Sequence, residues 1–288
     1  MQDTNTTKLE PHNIAIILLN WNNFSDTEKC IHSILKLNYT NYQIYAIDNG
    51  STDKSQERLA KIKTITLIKN DQNYGFAKGY NIGIQKILSK KEKTDYLWIL
   101  NNDTILEENS LSELVKEAKK NNLTLTGSLL LQEDQKTIQC FAGGYFNKFL
   151  CKTNLIKEEK DLTKLEYICG ASMLIRCKNI KEIGLFNENF FLYWEDYELS
   201  IRATKLGYKI GCATKSLIYH KESATTSRIS NNKSIHSLRS FIIFCRMEKK
   251  YLSLLQGASL RILKGILCFK FKSDDIKSVI YSITKKIA

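Results

Sequence analysis

Five polar clusters in this chain carry groups able to bind or react, and each stands where an apolar run ends. Tyr96-Leu97-Trp98-Ile99-Leu100 is closed by Asn101-Asn102-Asp103. A carboxylate in that position offers a hard oxygen ligand, suited to holding Mg²⁺ or Mn²⁺ against a diphosphate. The same triplet also serves plain turn chemistry, because Asn and Asp bond to their own backbone. Ile14–Leu19 ends in Asn20-Trp21-Asn22-Asn23, and Tyr42–Ile47 ends in Asp48-Asn49-Gly50-Ser51-Thr52-Asp53. A carboxylate after a strand can accept hydrogen bonds from a base or ribose. Asp48-Asn49-Gly50 alone would also fit a hairpin, but the residues after it are helical in pattern. Glu195-Asp196 comes after Phe190-Phe191-Leu192-Tyr193-Trp194. A carboxylate at the rim of an aromatic pocket loses water and becomes a stronger base; two acids at a helix start also simply suit the helix dipole. His220 closes Leu217-Ile218-Tyr219, where a histidine either packs, caps or binds metal.

The elements that must position these groups are set by periodicity. Short continuous apolar runs predict strands buried on both faces, as in a parallel sheet. Ile14–Leu19 and Tyr96–Leu100 are such runs, and Tyr42–Ile47 and Ile65–Lys69 also read as strands. Between them, helices are expected from Ser25 or Asp26 to about Leu37, from the Asp53 loop to about Lys63, and through Gly75, Gly79 and Gly83 to about Ser89. Glycines repeated every four residues on a helix let another chain segment come close. The resulting β-α-β-α-β-α-β order implies parallel strands joined by right-handed crossovers, so the polar strand ends gather along one edge. Beyond Asn121, Leu123–Leu131 and Ile138–Phe146 read as strands and Asn147–Leu165 as a polar excursion. Tyr167–Arg176 is apolar around Gly170-Ala171-Ser172. Next come a helix from Glu195 to about Leu206 and strand-like Tyr208–Cys212 and Leu217–Tyr219.

With 288 residues and 43% hydrophobic content, the chain can build a substantial core. Its net charge of +13 is uneven: from Lys233 to Ala288, twelve Lys and Arg face three Asp and Glu, leaving +4 on the first 232 residues. A near-balanced body with a basic tail points to an anionic surface as partner. Tyr251–Phe269 places Leu252, Leu255, Ala258, Ile262, Ile266 and Phe269 at helical spacing, interrupted by Arg261 and Lys264. That pattern suits an interfacial helix on anionic lipid better than a membrane span; packing on the body is the other use of such a helix. Eight cysteines include no C-x-x-C pair, so zinc spacing is absent and reduced thiols are expected. Met1–Asn13 is polar and does not read as a signal peptide. A nucleotidyl or sugar-phosphate transferase is a second enzyme reading, but the first strand lacks a Gly-rich, Lys-bearing phosphate loop. Nucleic-acid binding is a different class suggested by the charge; that charge is confined mostly to one Leu- and Ile-bearing tail, and no nucleic-acid partner is expected.

Taken together, Ile16–Asn22, Ala46–Asp53, Asn73–Asn81, Trp98–Thr104, Gly170–Arg176 and Gly184–Arg202 resemble family 2 glycosyltransferases, in particular the rhamnosyltransferase-type branch of bacterial polysaccharide synthesis. The resemblance spans roughly Ile14 to His220, in family order. It implies an α/β, GT-A (nucleotide-diphospho-sugar transferase) fold: a mostly parallel central sheet flanked by helices, here with a basic helical C-terminal tail. The expected organisation is a polar segment at 1–13, the transferase domain at 14–232 and the tail at 233–288. The resemblance further implies inverting transfer from a nucleotide-diphosphate-sugar donor to a glycan or lipid-linked saccharide acceptor, with Mn²⁺ or Mg²⁺. It assigns Asp48 to the nucleotide base, with Asn20, Trp21 and Asn22 in the same pocket and Asp53 supporting that loop. Asn101-Asn102-Asp103 stands at the family's D-x-D motif, with Asp103 as metal ligand and Asn101 departing from the first acid. Asp196 matches the catalytic base, Glu195 its neighbour on the loop or acceptor side, and His220 a metal- or diphosphate-contacting histidine. The implied location is the cytoplasmic face of the membrane, reached through the tail.

Overall fold

In the computed structural model, residues 12–147, 152–221, 233–249 and 257 are described. The chain opens with β1 (Ile14–Asn20), α1 (Phe24–Ile34), β2 (Tyr42–Asn49), α2 (Ser55–Leu59), β3 (Ile65–Asn70), α3 (Gly75–Leu88) and β4 (Tyr96–Asn101). β1 pairs in parallel with both β2 and β4, and β2 with β3. Alternate residues of β1 serve opposite faces: Ile14, Ile16 and Leu18 join α1 and α2 in one core. Ala15 and Ile17 join α3 in the other. Burial on both faces is why this strand is unbroken hydrophobic sequence. α3 closes tightly on the sheet at Gly83, where a Cβ would lie 2.2 Å from Ile47 Cδ1.

The spatial order β3-β2-β1-β4 has a consequence for binding. The chain steps outward from β1 to β3, then returns to the other side of β1 for β4. The crevice beyond the carboxyl ends of β1 and β4 is therefore a topological switch point, where open α/β sheets bind ligands.

The remaining strands extend and curl the sheet: β5 (Thr104–Leu106), β6 (Leu125–Leu131), β7 (Ile138–Phe141), β11 (Ser172–Arg176) and β12 (Ile210–His220). β11 lies antiparallel between β4 and β6; β12 runs parallel to β6 and antiparallel to β5. β8 (Gly143–Asn147), β9 (Lys152–Leu155) and β10 (Tyr167–Ile168) form a separate small sheet. Helices α4 (Ser110–Lys120), α5 (Ile180–Ile183), α6 (Glu195–Lys205) and α7 (Lys233–Met247) complete the described residues.

Three expectations change in detail. Ile138–Phe146 is not one strand: Ala142 turns through the left-handed region at φ 63°, sending β7 and β8 into different sheets. Tyr208–Cys212 and Leu217–Tyr219 are one strand instead of two, joined across an irregularity between Ala213 and Leu217. The helix after Asp53 stops at Leu59, short of Lys63. The basic stretch from Lys233 begins as α7, which packs against the body through Phe241, Phe244 and Cys245. The amphipathic stretch Tyr251–Phe269 lies outside the described residues apart from Gly257. Among the described residues no helix is long and apolar enough to cross a membrane.

Candidate active site

A pocket of about 490 Å³ opens at the switch point, a size that suits a small-molecule ligand. Its wall takes Leu19 and Trp21 from the end of β1, Asn49 from β2, Asn101, Asn102 and Asp103 after β4, and Glu195, Asp196 and His220 from the later elements. Seven residues expected from sequence thus meet on one surface: Trp21, Asn101, Asn102, Asp103, Glu195, Asp196 and His220.

Four others do not reach it. Asp48 is fully buried. Its Oδ1 accepts from Asn20 Nδ2 at 3.0 Å and from Ser51 Oγ at 2.6 Å. Its Oδ2 accepts from Ser51 N at 3.1 Å and from Gln56 Nε2 at 3.2 Å. With both oxygens doubly engaged, Asp48 ties the ends of β1 and β2 together behind the pocket. Asn20 is likewise buried and accepts from Thr27 Oγ1 at 2.9 Å. Asn22 Oδ1 latches the backbone N–H of Thr52 at 2.7 Å and of Asp53 at 3.2 Å, while Asp53 Oδ1 accepts from Ser55 N at 2.8 Å. The neighbouring Asn49 stands in the pocket wall, itself buried and fully hydrogen-bonded. Its Nδ2 donates to Asn73 Oδ1 and its Oδ1 accepts from Asn70 Nδ2, both at 3.0 Å.

Asp103 and His220 are 117 positions apart and meet because β5 turns straight back from β4. Register pairs Thr104 with His220, and Lys221 N donates to Asp103 O at 3.1 Å. His220 Nε2 then lies 3.3 Å from Asp103 Oδ1, with both side chains under a tenth exposed. Burial pushes the Asp103 carboxyl up, but His220 in its charged form, the carboxyl's own backbone N–H and Lys221 outweigh that and hold it below the usual range. Among the described residues no three His, Cys, Asp or Glu converge as a complete cation cage. The chain supplies a nitrogen and an oxygen at a separation close to the ~3 Å edge of an octahedron with ~2.1 Å bonds. That donor set fits a divalent ion whose remaining positions are filled by phosphate oxygens and water.

Glu195 and Asp196 open α6 after two consecutive residues in the left-handed region, Tyr193 at φ 68° and Trp194 at φ 73°. Such backbone persists only where packing enforces it. Here the Trp194 ring stacks on Phe244 at 5.1 Å and meets Tyr197, Phe241 and Phe146. Ser240 Oγ on α7 donates to Leu192 O at 2.8 Å. Asp196 Oδ2 accepts from Gly170 N at 3.0 Å and Oδ1 from Tyr197 N at 2.7 Å. Burial raises the Asp196 carboxyl despite those donors. Glu195 is 4% exposed and its Oε2 has no hydrogen-bond partner. Burial first, and the neighbouring Asp196 second, push its carboxyl well above the usual range. The loop before them is fastened to α3: Phe76 N donates to Phe191 O at 2.7 Å. Gly75 permits this, since a Cβ there would sit 2.2 Å from that oxygen.

Sheet order, switch-point pocket and a carboxylate–histidine pair at its edge define a GT-A fold. Solved structures agree: GalNAc-T7, crystallised with UDP, GalNAc and Mn²⁺, superposes with a TM-score of 0.61 at 17% identity, covering 74% of this chain. The chain spans 44% of that structure. The family model for glycosyl transferase family 2 matches residues 15–184, and the chain belongs to that family. An uncharacterised glycosyltransferase of Haemophilus influenzae is 25% identical over 91% of this chain and 86% of its own length. The low-salt glycan biosynthesis hexosyltransferase Agl10 of Haloferax volcanii is 21% identical over 81% and 76%.

Proposed function

We propose that this glycosyltransferase inverts the anomeric centre, moving a hexose from a nucleotide-diphosphate donor to a glycan or lipid-linked saccharide of a cell-surface polysaccharide. A rhamnosyl-type donor is the class that the motif resemblance favours. The observation that carries the reading is the meeting, in one switch-point pocket, of the Asp103–His220 pair with the buried carboxylates of Glu195 and Asp196. Asp103 and His220 would hold Mn²⁺ or Mg²⁺, which when bound supplies positive charge for the departing diphosphate. Asp196 takes the acceptor proton: its oxygens are oriented by Gly170 N and Tyr197 N, each keeps a lone pair, and desolvation strengthens it as a base. Asn49, Asn73 and Trp21 line the donor side, while Asp48, Asn20, Asn22 and Asp53 hold that loop in shape. The tail beyond α7 attaches the enzyme to anionic lipid at the cytoplasmic face, a role suggested by its charge and helical spacing.

The test is thermal protection of the full chain by a panel of nucleotide sugars with Mn²⁺ present. One donor should raise the midpoint in wild type and fail to do so in Asp103→Ala. Undiminished transfer by Asp103→Ala in the presence of a chelator rejects the metal-assisted reading.

A further inference from the structure

Gln139, on β7, carries no sequence signal, yet it is 6% exposed and lines the pocket. Its Oε1 lies 2.9 Å from His220 Nδ1 in a buried contact. The other ring nitrogen, Nε2, faces two groups of opposite character. Asn101 Nδ2, a donor, is 3.2 Å away, and Asp103 Oδ1, an acceptor, is 3.3 Å away. A glutamine carbonyl oxygen only accepts, so Nδ1 carries the hydrogen and the neutral ring turns its Nε2 lone pair toward the pocket. The reverse amide orientation would move that hydrogen to Nε2, between the Asn101 N–H₂ group and Asp103 Oδ1, and would close the nitrogen to a cation. With Nδ1 protonated, the single Nε2 lone pair accepts from Asn101 Nδ2, and a cation that displaces that amide group meets Nε2 and Asp103 Oδ1 together.

We propose that Gln139 is a positioning residue for His220. It fixes the Nδ1–H tautomer and the ring angle, so that Nε2 and Asp103 Oδ1 converge as a mixed nitrogen–oxygen seat for a divalent cation. The inference rests on the reading of that pair as a cation site. Partners behind a metal-binding histidine fix its tautomer in this way, and their loss typically weakens metal affinity 10–100-fold. An imidazole nitrogen also favours Mn²⁺ over the oxygen-seeking Mg²⁺. Loss of the tautomer should therefore reduce Mn²⁺ binding more than Mg²⁺ binding, which mere loosening of β7 would not do.

Two measurements on the full chain test this. Long-range ¹H–¹⁵N spectra of histidine-labelled protein without metal, assigned with His220→Gln, should show Nδ1 protonated and Nε2 unprotonated in wild type and in Gln139→Glu. Gln139→Leu should show a mixture or the opposite tautomer. Titration with Mn²⁺ alone, following the free ion by electron paramagnetic resonance, should show about 10–100-fold weaker binding in Gln139→Leu and no weakening in Gln139→Glu, whose added charge favours the cation. An Nε2–H tautomer in wild type, or a Gln139→Leu protein with unchanged tautomer and unchanged Mn²⁺ affinity, overturns the proposal. A wild type that binds no Mn²⁺ while its tautomer still depends on Gln139 overturns the cation reading and leaves the link between the two residues standing.

Discussion

Two adjacent acids that look alike in the sequence have different surroundings in the fold. Asp196 is held by two backbone N–H groups, whereas Glu195 Oε2 is buried without a partner. Asp196→Asn keeps the shape and removes the proposed base, so turnover should fall about 10²–10⁴-fold with donor affinity nearly intact. Glu195→Gln should cost less. Single-turnover transfer alongside donor binding reads both, and normal turnover in Asp196→Asn with a dead Glu195→Gln would swap the roles. Stability separates them as well. Because folding raises the Glu195 pKa, the folded state holds its proton above pH 4.5 where the unfolded state releases it. Stability is therefore lost as pH climbs from the unfolded pKa toward the folded one. Glu195→Gln removes that loss, so its melting temperature should gain on wild type as the pH rises above 4.5, at about 2–4 °C per kcal/mol. A constant difference across that range would show that Glu195 is not held protonated. The sequence exposes Asp103, Glu195 and Asp196 because each closes an apolar run. Gln139 and Asn49 stay hidden in it, since the first acts through a residue 81 positions away and the second stands beside a more conspicuous aspartate.

Among the elements, the first four strands and three helices are legible from their patterns, because β1, β2 and β4 are buried on both faces, the edge strand β3 is partly exposed, and each helix is buried on one face. What periodicity misses are the places where one residue redirects the chain. Ala142 at φ 63° divides an apolar run between two sheets, and three-residue β5 is too short for any pattern, though it delivers Asp103 to His220. α7 is a different case: its basic residues suggest a surface element, but Phe241 and Phe244 are fully buried against Trp194. Phe244→Ala should cost about 3–5 kcal/mol. Since the Trp194 ring holds the left-handed backbone before Glu195 and Asp196, turnover should fall further than the lost folded fraction explains. Thermal unfolding and active-site titration separate the two effects, and full activity per folded molecule would show that α7 only adds stability.

For the whole molecule, the uneven charge remains to be put to use. The stretch from Lys250 onward holds eight of the twelve basic residues counted from Lys233, two acids and the amphipathic spacing, so it is the part expected on lipid. Co-sedimentation with anionic vesicles should be strong for the full chain, weaken with salt, and disappear when the chain ends at Lys249. Equal sedimentation by that shortened protein would reject the tail as the anchor, and a shift with RNA but not with vesicles would favour the nucleic-acid alternative.

The packing of α7 also bears on how such enzymes can be recombined. A tail that only tethered could be exchanged between relatives at any point after the last strand. Here the first stretch of the tail is a splint for the loop that presents the two acids, joined by Ser240 to Leu192 and by two phenylalanine rings to Trp194. Chimaeras that cross over beyond Met247 keep the splint matched to its loop. Those that cross at Lys233 bring a foreign helix against Trp194, and the mismatch falls on the loop that carries Glu195 and Asp196.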